Sequence, residues 1–219
     1  MTPGGVARAP GFNRVRAFTA ALGLCSALPA SAADASEEEE LPPVSVGADT
    51  LYFRPREGWD YLYGSVRAEA GVLHLEVRYN YEDLHTGSAF VGWNLGVGER
   101  LRLELTPMLG GVLGATQGVA PGLELALSYG KLALWSESEY VLARSDADFF
   151  YTWTELSLWP VEWARAGVNL QWTRSTGARP VAERGFHLGL AYRNVSVAAY
   201  VFEPGGDDAS TIFLFGLEL

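Results

Sequence analysis

The clearest pattern in the chain is residues 72–81, V-L-H-L-E-V-R-Y-N-Y, where Leu73, Leu75, Val77, Tyr79 and Tyr81 alternate with His74, Glu76, Arg78 and Asn80. Period two with the apolar residues all on one side is the signature of a β-strand with one greasy and one wet face. The phase recurs: Ala89, Val91, Trp93, Leu95 and Val97 alternate with Ser88, Gly92, Asn94, Gly96 and Gly98, and Leu123, Leu125, Leu127 and Tyr129 with Glu124, Ala126 and Ser128. Leu101, Leu103 and Leu105 set against Arg102, Glu104 and Thr106 repeat it. The alternation predicts strands near 50–56, 61–69, 72–81, 88–97, 101–112, 122–129, 132–143, 149–159, 163–173, 185–192, 195–202 and 211–219, with no helical spacing between them.

The predicted connections fall into two alternating classes. Tight ones lie at 70–71, 98–100, 130–131, 160–162 and 193–194, and longer polar ones at 82–87, 114–121, 144–148, 175–184 and 203–210. Such alternation is what a membrane barrel shows, with short turns on the periplasmic side and longer loops outside. If the last strand ends in the periplasm, parity requires a strand at 50–56 and gives about twelve in all, an even number; ten follow if the chain before Tyr61 does not pair. Beyond the N-terminal region no window holds the roughly 18 apolar residues that a membrane helix needs, so a spanning structure here has to be a barrel. The predicted fold class is therefore all-β, an antiparallel up-and-down transmembrane β-barrel.

The N-terminus has its own organisation. Arg8, Arg14 and Arg16 precede the apolar run 17–28 and the small-x-small triplet Ala30-Ser31-Ala32. That order predicts a secretory signal peptide over 1–32, cleaved after Ala32, an acidic periplasmic tail over 33–48 that includes the run Glu37 to Glu40, and a barrel over 49–219. Leu24 before Cys25 is not the small residue that cysteine acylation requires, and removal of the signal leaves no thiol or disulfide.

Charge narrows the partners. Three of the 16 basic residues and none of the 26 acidic ones lie before Ala33, which leaves 13 against 26 and a formal net charge of about −13. This argues against nucleic acid, which rewards basic surfaces. The partners expected are outer-membrane lipids, the barrel-assembly machinery and small solutes.

The wet faces of the strands are not those of a solvated protein, because the chain has a single lysine, Lys131. They carry Arg67, Glu76 and Arg78, Arg102 and Glu104, Glu124, Glu137 and Glu139, Glu155 and Arg165, with His74, Asn94, Asn169 and His187. Arginine with carboxylate suits a confined hydrogen-bonded network, and these residues are predicted to line a lumen. Tyr129, Trp159, Trp163 and Tyr192 beside tight turns, and Tyr79 and Tyr81 at another strand end, are predicted to form the aromatic belts at the lipid interfaces.

Known chemistry finds little foothold. His74 and His187 share the wet face with Glu76 and Gly189, and His85 falls in a predicted loop; none stands beside a serine in a short signature, and the three show no metal spacing. The glycines follow strand ends and inward faces and form no phosphate loop. No catalytic residue, metal or cofactor is predicted. The readings are a narrow cation-preferring pore, or a structural barrel plugged by its Arg and Glu; the alternatives are an outer-membrane lipid hydrolase and a secreted barrel binding an apolar ligand.

The final strand, I-F-L-F-G-L-E-L, is similar to the terminal signal of outer-membrane barrels, although Leu219 replaces the usual aromatic end. The chain from Ala33 onward resembles small bacterial outer-membrane β-barrel proteins. The blocks Tyr79-Asn80-Tyr81-Glu82-Asp83, 103–110 (L-E-L-T-P-M-L-G) and Phe150-Tyr151-Thr152-Trp153 resemble a group of such barrels that carries no assigned activity. The resemblance implies fold and an outer-membrane location reached by export, and it transfers no site.

Overall fold

The computed structural model describes residues 43–219, so the predicted signal peptide and the acidic run Glu37 to Glu40 lie outside the described residues. Thirteen strand segments follow in order: β1 Val44–Pro55, β2 Tyr61–Ala70, β3 Leu73–Tyr79, β4 Thr86–Trp93, β5 Leu95–Val97, β6 Leu101–Gly114 and β7 Gly118–Tyr129. The chain continues with β8 Leu132–Ala143, β9 Phe149–Val161, β10 Ala164–Ser175, β11 Val181–Tyr192, β12 Val195–Phe202 and β13 Ser210–Glu218.

Each strand pairs antiparallel with its neighbours in sequence, and β13 returns to pair with β1, which closes the sheet. Segments β4 and β5 are one stave. Both keep one register against β6, Gly92 opposite Met108 and Leu95 opposite Leu105, and the break falls opposite Pro107, which has no N–H to give to the ladder. The molecule is thus a closed antiparallel barrel of 12 staves. Closure leaves no sheet edge to be paired by another chain.

Strand limits differ from the prediction mainly by extension. The acidic tail expected to reach residue 48 ends earlier, because Val44 to Ala48 pair with β2, and Gly47 and Ala48 with Glu218 and Leu217 of β13. Gly47, which reads as a strand breaker, is in the strand for a packing reason: a Cβ there would lie 2.5 Å from Nη2 of Arg67. Segment β7 begins at Gly118 rather than Gly122; Pro121 interrupts the bonds to β8, yet Val119 opposite Leu142 and Gly122 opposite Glu139 keep the register.

One end of the barrel carries the short connections at 71–72, 98–100, 130–131, 162–163 and 193–194, and is called the turn end. The other carries the connections at 56–60, 80–85, 115–117, 144–148, 176–180 and 203–209, and is called the loop end. The alternation of the two classes follows the predicted parity.

Burial fixes the sense of the alternation. In β3 the residues Leu73, Leu75, Val77 and Tyr79 are exposed while His74, Glu76 and Arg78 are buried. The same inversion holds for Val91 and Trp93 in β4, Leu156 and Leu158 in β9 and Leu188 and Leu190 in β11, all apolar and all outward. Apolar side chains therefore cover the outside of the staves, where a soluble barrel would carry charge.

Candidate functional site

The interior is organised around three arginines. Arg78, near the loop end of β3, reaches across the bore: its Nη2 donates to Oε2 of Glu76 at 2.7 Å, and its Nη1 lies 2.7 Å from Glu137 and 3.2 Å from Glu139 on β8. Its guanidinium also lies 4.3 Å from the ring centre of Tyr81 and 4.4 Å from that of Phe90. A guanidinium between aromatic faces and carboxylates uses both its flat surface and its donors, which an ammonium does not.

Arg165, at a bulge between β9 and β10, donates to Glu155 at 2.8 Å and to the Tyr200 hydroxyl at 3.0 Å, while Trp153 Nε1 donates to the other Glu155 oxygen at 3.0 Å. The bulge re-aims Arg165 inward, as such insertions do. Next to it Ser157 Oγ and His187 Nε2 are 3.0 Å apart, and His187 Nδ1 is 3.4 Å from the Asn169 oxygen. Glycines make room for this wall. A Cβ on Gly167 would meet the His187 ring at 2.7 Å, one on Gly185 would meet Asn169 Nδ2 at 2.7 Å, and one on Gly189 would meet Arg165 Nε at 2.6 Å.

Arg67 is the third. It donates to Asp49 of β1 and to Glu218 of β13, so it bridges the three staves at which the barrel closes. Towards the turn end, Glu69 accepts from Asn94 and lies 2.9 Å from His74 Nδ1, while the Asn94 oxygen accepts from the Thr106 hydroxyl at 2.7 Å. Arg102 and Glu104 pair with each other at 2.8 Å, both partly exposed at this mouth. Arg67, His74, Glu76, Arg78, Glu124, Glu137, Glu139, Glu155, Arg165, Asn169 and His187 are all buried inside the staves, and Asn94, Arg102 and Glu104 are half-buried at the mouth.

Two of the six predicted belt aromatics are elsewhere. Tyr79, Tyr129, Trp163 and Tyr192 point outward and are exposed, but Tyr81 is buried at 1% exposure. Asn80 has φ 59°, in the left-handed region that asparagine tolerates, and this flips the phase so that Tyr81 turns into the bore against Tyr63 and Tyr151. Trp159 continues the inward phase of Glu155 and Ser157, packs against the inner aromatic cluster and has Arg165 5.9 Å from its ring.

The interior also contains what the sequence reading passed over. Leu51, Phe53, Tyr63, Trp135, Tyr151, Trp153, Tyr200, Phe202, Ile212 and Leu214 form an apolar and aromatic cluster inside the barrel, and Phe90, Met108, Val112, Val141 and Phe149 form a second. Their signal was available as the other phase of the same strands: Ile212 and Leu214 alternate with the outward Phe213 and Phe215. Asp49, Ser157 and Gln171 belong to the buried polar set as well, each identified only by the partner it meets across the strands. Beneath the loop 80–85, Glu82 accepts from the Ser88 hydroxyl at 2.5 Å and Thr116 donates its hydroxyl to Asp83 at 3.0 Å, tying that loop into the loop end.

These contacts pack side chains against one another inside the staves. A twelve-stranded barrel is wide enough that side chains have to be long to fill it. Here Trp153, Tyr200, Phe202, Leu51, His74 and Glu155 are inaccessible to water. The Ser157–His187–Asn169 line has the order of a nucleophile, base and orienting amide, but Ser157 is 2% exposed and faces the interior.

The fold defined by these features, a closed antiparallel barrel with an apolar exterior, is that of outer-membrane porin-like barrels. Solved structures similar to it include the KdgM porin, at TM-score 0.54 and 10% identity over 78% of this chain and 97% of that one, one of whose structures is a complex with disordered oligogalacturonate. The NanC porin is similar at TM-score 0.50 and 7% identity, over 78% of this chain and 97% of that one. At such identities the likeness is one of fold. No protein-family model matches the chain, and the comparison with curated proteins finds no match.

Proposed function

We propose that this chain is an integral outer-membrane barrel, exported by a cleaved signal peptide, whose bore is closed at rest. One observation carries the reading: the side chains that would line a channel are sealed from water along the bore, with Trp153, Tyr200 and Glu155 at 0% exposure. An open pore leaves its lining accessible; this interior is packed like a protein core. Of the two readings that the sequence allowed, the plugged structural barrel is therefore favoured over the conducting pore.

Among the described residues, seven carboxylates are buried, Asp49, Glu76, Glu82, Glu124, Glu137, Glu139 and Glu155, against three guanidiniums. Any opening of the bore thus presents a negative lining and passes cations in preference to anions. A polyanion such as the oligogalacturonate described with KdgM would meet charge of its own sign. The lipid-hydrolase alternative loses ground because Ser157 and His187 face inward, away from the lipid and behind Trp159.

The test is single-channel recording of the protein in planar bilayers. Unmodified barrel inserts without discrete current steps, and a Trp153→Ala, Tyr200→Ala double variant, which removes the two largest rings beside Glu155, gives steps that reverse at a cation-selective potential. Regular conductance steps from the unmodified protein would overturn the closed reading.

A further inference from the structure

One set of interior side chains has a geometry that an ion-pair network does not need. His74, Glu76 and Glu124 are all buried, and each offers one ligand atom such that the three atoms lie within 4.8 Å of one another. They come from β3 and β7, which are separated in the sheet by the β4/β5 stave and β6, so the cluster is made by the curvature of the barrel wall. We propose that these three residues bind a divalent transition-metal ion of the zinc class inside the barrel, towards its turn end.

The first support is the orientation of the imidazole. His74 Nδ1 is held by the Glu69 carboxylate at 2.9 Å, which leaves Nε2 directed at Glu76, 3.5 Å away. A carboxylate on one ring nitrogen fixes the tautomer and raises the basicity of the other, and this is the arrangement that surrounds metal-bound histidines. Glu69 is itself set by Asn94, and Gly92 leaves the space the ring occupies, since a Cβ there would lie 3.3 Å from His74 Cδ2 and 2.9 Å from Met108 Cβ. The imidazole is thus positioned from three sides.

The second support is charge. The register places Glu124 of β7 directly opposite Glu137 of β8, both buried, and like charges opposite one another on one face destabilise a sheet. Arg78 is already divided among Glu76, Glu137 and Glu139. A divalent cation between His74, Glu76 and Glu124 would sit among four buried glutamates, a negative environment that favours it. A histidine nitrogen with two carboxylates is a borderline donor set that suits zinc or manganese, whereas calcium and magnesium prefer oxygen alone. Entry is from the turn end, where the Glu69 side chain is 20% exposed and Glu104 is 30% exposed.

The experiment uses the full chain, exported, extracted from membranes in detergent, stripped with chelator and titrated with Zn²⁺ by calorimetry. The expected result is one Zn²⁺ per chain, undiminished by excess Mg²⁺. His74→Ala and Glu124→Gln abolish that site, Glu69→Gln weakens it by about 10- to 100-fold, and His187→Ala, on the far wall, leaves it unchanged. X-ray absorption at the zinc edge of the unmodified protein gives a readout that needs no variant: one imidazole and carboxylate oxygens at about 2.0–2.2 Å. No stoichiometric zinc on the folded barrel, zinc retained by a folded His74→Ala variant, or two imidazoles in the absorption spectrum would each overturn the site. The measurement is independent of conductance, so a conducting barrel that binds zinc at His74 refutes the closed bore and not this inference.

Discussion

Arg78 holds three carboxylates with one guanidinium, Glu76, Glu137 and Glu139 at 2.7, 2.7 and 3.2 Å, all of them buried. Removing it leaves those buried charges without their common partner. Arg78→Ala is expected to cost about 3–5 kcal/mol, the usual consequence of breaking a buried pair from one side, read as a lowered midpoint of unfolding in urea and detergent. Gly167→Ala acts by a different route: its Cβ would lie 2.1 Å from the Leu156 carbonyl oxygen and 2.7 Å from the His187 ring, so backbone as well as side chain has to move. A loss of about 1–3 kcal/mol, the range for overpacking, is expected, and Gly111→Ala, where nothing lies within 4 Å, is the control with no comparable loss. The residues of this interior were legible where alternation is unbroken: Glu76, Arg78, Glu137 and Glu155 follow directly from it. Tyr81 was not, because a single left-handed residue, Asn80, reverses the phase without changing the sequence pattern.

At the scale of elements, the sensitive seam is where the first and last staves meet. Nine residue pairs from Gly47–Glu218 to Pro55–Ser210 join β1 to β13, and the Val46 and Leu219 backbones bond to each other in both directions at 3.2 and 2.8 Å. Arg67 of β2 reaches over β1 to Glu218 of β13. Deleting residues 44–48 therefore removes the turn-end part of this seam, the Gly47 and Ala48 pairs and the Val46–Leu219 bonds, and exposes the adjoining edges of β2 and β13. Such a variant is expected to lose the heat-resistant compact migration of a closed barrel on gels and to aggregate on refolding, while deletions confined to 176–180 keep it. Proline explains the places where elements looked broken. Pro107 splits one stave into β4 and β5 and Pro121 interrupts the β7 ladder, in both cases with the register intact.

For the whole molecule, an apolar exterior on a closed barrel predicts partition with outer membranes, resistant to extraction by salt and alkali, with no change on removing free calcium. Recovery in the soluble periplasmic fraction would refute membrane insertion. The same architecture ties conductance to packing rather than to charge: Arg102→Ala at the open mouth should leave the barrel silent, whereas the Trp153→Ala, Tyr200→Ala variant should open it.

The sequence by itself determined most of the strands, the alternation of short and long connections and the two chemically distinct faces, because period-two alternation and turn residues are local properties, and it left their number at twelve or ten. It could not determine which face is inside, since an alternating strand reads the same in a soluble barrel and in a membrane one; lysine scarcity and aromatic placement only weighted the choice. The tertiary structure decided that the apolar phase faces outward and that Glu76, Arg78, Glu137 and Glu155 are buried. It also decided which residues meet, such as Ser157 with His187, and His74 with Glu124, because those neighbours depend on how twelve staves close and stagger.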